Sequence, residues 1–128
     1  MAEADIPGEV RQFIKDYIRS LFQLEVLLLL HRHRDRDWSP EDIDRELKIG
    51  RELANTQLAD LHSIGLLTMI DNPFGYRYRP ATDELDAAVS KLDAAYKERR
   101  VSVTSLIYST PVDEVRIFAE AFRLRKDK

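Results

Sequence analysis

The sequence predicts a mainly α-helical chain with one small β-hairpin, and three observations carry that prediction. Apolar residues recur at i, i+3, i+4 and i+7 through the first half of the chain. Stretches such as Ser39-Pro40-Glu41-Asp42 have the composition of helix starts. A single stretch after Gly65 changes to an alternating pattern broken by turn residues.

Length and charge set the outer bounds. The chain has 128 residues, 44% of them hydrophobic, enough for one domain with a sizeable core and too few for two. Twenty Lys and Arg stand against 23 Asp and Glu, a net charge of -3, so any nucleic-acid surface has to be local. The absence of Cys removes disulfides, thiolate nucleophiles and cysteine-based zinc sites. The longest apolar run, Val26 to Leu30, is too short to cross a bilayer, and the acidic start MAEADIPGE lacks the basic flank of a signal peptide. The expectation is a cytoplasmic protein with no membrane partner.

Pro7 and Gly8 end a short tail, after which Val10, Phe13, Ile14, Tyr17, Ile18 and Leu21 mark an amphipathic helix. Ser20 is placed to cap a second helix, whose Leu21, Leu24, Leu27 and Leu28 are apolar on nearly every side; that helix belongs at the centre of the core. At Ser39 the serine can cap, Pro40 suits the first helical position, and Glu41 and Asp42 favour the positive helix end. The short helix that follows turns Ile43 and Leu47 inward. Lys48-Ile49-Gly50 breaks the pattern, and a further helix from Arg51 to about Ser63 carries Leu53, Ala54, Leu58, Leu61 and Ile64 on its apolar side before Gly65 closes it. Two short helices joined by a tight turn form a helix-turn-helix.

Leu66 to Ile70 reads as a strand, Asp71 to Gly75 as a turn-rich loop and Tyr76 to Arg79 as a returning strand. In order and spacing, SPEDIDRELKIGRELANTQLADLHSIGLLTMIDNPFGYRYRP resembles the core of winged helix-turn-helix proteins and is similar to bacterial MarR-like and ArsR-like transcriptional regulators. The resemblance covers roughly residues 21–80. It implies one domain made of an N-terminal extension and helix (1–20), a winged core (21–80) and a C-terminal helical extension (81–128).

In that extension Thr82-Asp83-Glu84 opens a helix whose Leu85, Val89, Leu92 and Tyr96 alternate by four and three residues. Such a seam serves either packing within the chain or a homodimer interface, and these four are the candidate dimerisation residues. VSVTSLIY at 101–108 is rich in β-branched residues, yet no partner strand is evident, which favours a short helix. Thr110-Pro111-Val112-Asp113 repeats the cap signal and starts a last helix bearing Val115, Phe118, Ala119 and Phe122, followed by a basic tail.

Catalysis finds no support in motifs. There is no Gly-x-Ser-x-Gly, no Gly-rich phosphate loop and no His-Glu-x-x-His, so the reading is a non-enzyme with no catalytic residues, metal or cofactor. The resemblance implies double-stranded DNA as the partner, read by helix 51–63 and the wing 71–79. On that helix the polar side presents Arg51, Asn55 and Thr56: Asn55 suits adenine, Arg51 a guanine or a phosphate, and Thr56 a phosphate or a thymine methyl. Arg77 and Arg79 alternate onto one face of the wing, with Tyr76 and Tyr78 on the other, where they can grip the backbone. Charge opposes this. Between His31 and Ser63 six basic residues face eight acidic ones, a net of -2, which weakens phosphate binding and keeps a winged-helix protein-protein interaction adaptor as the alternative.

HRHRDRD, residues 31–37, is either a ligand set or a charged connector. In a helix His31 and His33 point about 200° apart and cannot chelate one ion. The connector reading is preferred, with an edge strand near Asp37-Trp38 lying against the wing.

Overall fold

The leucine run forms the centre of the molecule. In the computed structural model, which describes residues 6–108, the elements run α1 (Gly8–Tyr17), α2 (Leu21–Arg32), α3 (Pro40–Leu47), α4 (Arg51–Ile64), β1 (Leu67–Asp71), β2 (Phe74–Tyr78), α5 (Asp83–Glu98) and α6 (Arg100–Tyr108). Leu24, Val26, Leu27, Leu28 and Leu30 of α2 are buried against α4, α5 and β2. The expected helix from Thr110 to Phe122 lies outside the described residues.

The caps form as the sequence indicates. Ser20 Oγ accepts from the Gln23 amide at 3.1 Å, which starts α2 directly after α1. Buried Gln23 then ties the two helices together: its Nε2 donates to the Tyr17 carbonyl at 3.0 Å and its Oε1 accepts from the Arg19 amide at 2.8 Å. At α3, Ser39 Oγ accepts from the Asp42 amide and Asp42 Oδ2 accepts from the Ser39 amide, a reciprocal capping box with Pro40 in the first turn. Lys48 leaves α3 in the left-handed region, φ 58°, and Gly65 ends α4 at φ 99°, a conformation that costs glycine little.

The hairpin joins β1 to β2 in antiparallel register through Asn72-Pro73, pairing Leu67 with Tyr78 and Met69 with Tyr76. Each strand is displaced by one or two residues from the sequence expectation. The linker contributes the expected edge residue: the Trp38 amide donates to the Tyr76 carbonyl at 2.7 Å, and the Tyr76 amide donates back to the Trp38 carbonyl at 2.8 Å. Gly75 permits this approach, because a Cβ there would lie 2.9 Å from the Trp38 carbonyl oxygen.

The four-residue seam on α5 is core. Val89, Leu92 and Tyr96 are buried within the single chain and Leu85 packs partly buried against the same cluster, with α1, α2 and α6 around this helix. This corrects the expectation that Leu85, Val89, Leu92 and Tyr96 face a second subunit: Val89, Leu92 and Tyr96 have no further apolar area to bury, and Leu85 has only part of its surface left. The 101–108 segment is helical. Among the described residues, no helix is long and apolar enough to cross a membrane.

Candidate nucleic-acid interface

The amphipathic pattern of α4 decides what it shows to solvent. Ala54, Leu58 and Leu61 are buried, and Gln57 joins them, so Arg51, Glu52, Asn55, Thr56, Ala59 and Asp60 point outward. Arg51 and Asn55 line a cleft of about 570 Å³ together with Pro40, Glu41, Glu52 and Phe74. Phe74 is the residue the sequence reading missed. Placed in a stretch read as turn, it is 48% exposed at the start of β2, and its ring edge meets Tyr76 with centroids 5.4 Å apart. A bulky apolar residue beside the tip of a hairpin was the available signal.

The predicted cations are differently placed. Arg51 Nε contacts Glu41 Oε2 at 2.8 Å, linking the first turns of α4 and α3. Arg77 Nε donates to Asp37 Oδ1 at 2.7 Å, linking the wing to the linker. Arg79 is exposed and pairs with no carboxylate among the described residues, while its amide donates to the Leu66 carbonyl and closes the base of the hairpin. The structure thus brings Arg51 and Asn55 into one cleft and leaves Arg77 and Arg79 on the opposite face of β2 from Phe74. Thr56 donates its hydroxyl proton to the Glu52 carbonyl at 3.1 Å, so its outward methyl suits a thymine better than its hydroxyl suits a phosphate.

Acidic partners reach further along the same side. Asp42 Oδ1 accepts from Arg45 at 2.9 Å, Asp42 Oδ2 stands 3.6 Å from Arg36, and the Arg36 guanidinium lies 3.9 Å over the Trp38 ring. The hydrogen bond from the Ser39 amide, more than these arginines, holds the Asp42 carboxyl below the usual range.

HRHRDRD does not act as one unit. Its first two residues reach across to α5, where His31 Nδ1 lies 2.8 Å from Asp93 Oδ2 and the half-exposed Arg32 donates from Nη2 to Asp93 Oδ1 at 2.7 Å. Burial alone would raise the Asp93 carboxyl, but the bonds from Arg32 and His31 hold it below the usual range, and Asp93 in turn raises Arg32. Arg34 and Arg36 stay exposed. Among the described residues, no group of three His, Cys, Asp or Glu is arranged to hold a metal ion.

Ser90 Oγ stands 3.3 Å from His31 Nε2, giving the order serine, histidine, aspartate. Ser90 lies inside α5, where helical hydrogen bonds occupy the neighbouring backbone N–H groups, so they do not converge on an oxyanion, and Asp93 is shared with Arg32. The cluster fastens α2 to α5. It is not built as a nucleophile.

No protein-family model matches the sequence, and no curated protein matches it. Solved structures do. The chain is similar to a transcriptional regulator from Thermotoga maritima, with TM-score 0.52 and 13% identity over 93% of this chain and 84% of that one. It is also similar to the heme sensor protein PefR from Streptococcus agalactiae, with TM-score 0.50 and 17% identity over 88% and 78%. The chain has a winged-helix fold. A MarR family protein from Bacillus stearothermophilus superposes less closely, at TM-score 0.48 and 12% identity over 92% and 80%. In winged-helix terms α3 and α4 are the helix-turn-helix, the β1–β2 hairpin is the wing, and the edge contributed by Trp38 completes the small sheet.

Proposed function

We propose that this winged-helix chain is a transcription regulator that binds double-stranded DNA with α4 and the wing, as a homodimer. The observation that carries the reading is the outward N-terminal half of α4, where Arg51, Asn55 and Thr56 are exposed beside the wing. In helix-turn-helix docking these are the positions that reach base edges in the major groove. Asn55 pairs with adenine, Arg51 meets a guanine or a phosphate, and Arg77 and Arg79 hold the backbone. That one solved neighbour is a transcriptional regulator supports the regulator reading.

With the α5 seam filled from within, the dimer contact falls to α6. Its outer side shows Val101 at 79% and Tyr108 at 57% exposure, next to a cleft shared with Leu21 and Thr104. Val101 and Tyr108 are the surface this reading offers to the second copy. Light scattering on the full chain reads the assembly directly, and a monomer at DNA-binding concentrations removes the dimer from the proposal.

A gel-shift assay on random duplex at low salt tests DNA binding. Wild type binds, binding weakens steeply as salt rises, and Arg77→Ala with Arg79→Ala weakens it by about tenfold or more. No duplex binding by micromolar protein at low salt overturns the DNA reading. The adaptor reading would then take its place, and one observation favours it: Phe74 and Met69 expose apolar surface on the wing, at 48% and 44%.

A further inference from the structure

We infer that Glu41 and Asp37 are built-in competitors for DNA phosphate that lower binding to bulk duplex and so raise the discrimination for specific sites. The inference rests on the DNA-binding reading. Two of its predicted contact arginines already hold a carboxylate, Arg51 with Glu41 at 2.8 Å and Arg77 with Asp37 at 2.7 Å. Both pairs span separate elements and both reach solvent, the first exposed and the second half-buried: the side chains are 72% and 48% accessible in the first, 43% and 36% in the second. Pairs that reach solvent in this way contribute little to folding, about 0–1 kcal/mol. Holding the fold together is therefore not a sufficient account of them.

Their effect on a polyanion is larger. A phosphate within reach of Arg51 or Arg77 comes to roughly 5 Å from the carboxylate already there, and the two like charges repel. An arginine and carboxylate taken together are neutral, so docking them on the duplex releases few counterions, and counterion release supplies most of the affinity for arbitrary sequence. Base-edge hydrogen bonds from Asn55 do not depend on that release. Non-specific binding therefore falls further than specific binding. Glu52 and Asp60, exposed on the same side of α4, act in the same direction. Asp42 also neutralises arginines, but it caps Ser39, which makes it unsuitable as a probe.

The test uses the full chain and a fluorescent random-sequence duplex, with anisotropy titrations at several salt concentrations. Glu41→Gln and Asp37→Asn keep a hydrogen-bond acceptor for each arginine while removing its charge. The double variant binds about tenfold tighter at low salt, and its salt dependence steepens by roughly one per carboxylate removed. Adding Arg51→Gln and Arg77→Gln abolishes both gains. Thermal melts run alongside, and each single variant carries half the effect should the double fail to fold. If wild type binds and the variants bind no tighter with an unchanged slope, the carboxylates only position the arginines and the inference falls alone. If wild type does not bind, it falls together with the DNA reading.

Discussion

Arg32 meets Asp93 at 2.7 Å and Arg51 meets Glu41 at 2.8 Å, yet the two pairs do different work. Asp93 is 7% accessible, held by Arg32 and His31 and wedged between α2 and α5. Glu41 is 48% accessible and has solvent as its alternative partner. A short ion pair states geometry only; what it contributes depends on where each charge would go if the other were removed. A charge stranded in the core is costly, and one left at the surface is simply hydrated. The first region therefore fixes the fold, and the second is open to exchange with a ligand.

The comparison is broken most severely at Asp93. Asp93→Ala leaves the largely buried His31 without its acceptor and releases Arg32, 40% accessible, to solvent, and is expected to cost about 2–3 kcal/mol, read from urea denaturation. The pH dependence follows in sign. Asp93 has a folded-state pKa below its unfolded value, so its contribution is fully present above about pH 4 and is lost as pH falls through the lowered folded value. Asp93→Asn should flatten that acid limb of the stability curve. A limb identical to wild type would mean that other carboxylates govern acid unfolding.

A smaller effect is expected where the wing meets the linker. Gly75→Ala places a methyl group 2.9 Å from the Trp38 carbonyl, a backbone atom that cannot swing aside. The expected loss is about 1–3 kcal/mol, and hydrogen exchange should show weakened protection at the Trp38 and Tyr76 amides. Unchanged protection there would show that the backbone accommodates the methyl. Smallest of all is Glu41→Gln, whose effect on the unfolding free energy should stay within about 0.5 kcal/mol. A loss above 2 kcal/mol (about a third of a marginal domain's stability) would erase the distinction between the two regions.

What was legible in the sequence was local. Ser39, Pro40 and Asp42 lie within four residues of one another, and the capping box follows from their chemistry alone. The outward side of α4 followed from periodicity, except that Gln57 proved buried. The partners of the charged residues were not legible, because Arg32 and Asp93 lie 61 residues apart, and Asp37 and Arg77 lie 40 apart. The α5 seam shows the same limit. Its spacing fixes that Leu85, Val89, Leu92 and Tyr96 share a stripe, and says nothing of whether α1 and α2 or a second chain covers it. HRHRDRD reads as a charged connector, whereas α2 continues through Arg32, so the first two residues belong to the helix and only the rest is linker.

The two backbone bonds between Trp38 and Tyr76 also give the molecule a mechanical linkage. Trp38 is anchored in the core, Asp37 beside it grips Arg77, and Arg32, a few residues earlier, is pinned to α5. The wing therefore does not pivot on its own base alone. Five residues of linker join two fastened points, Arg32 on α5 and Trp38 on the hairpin, so the segment is a short tie between the helical extension and the wing.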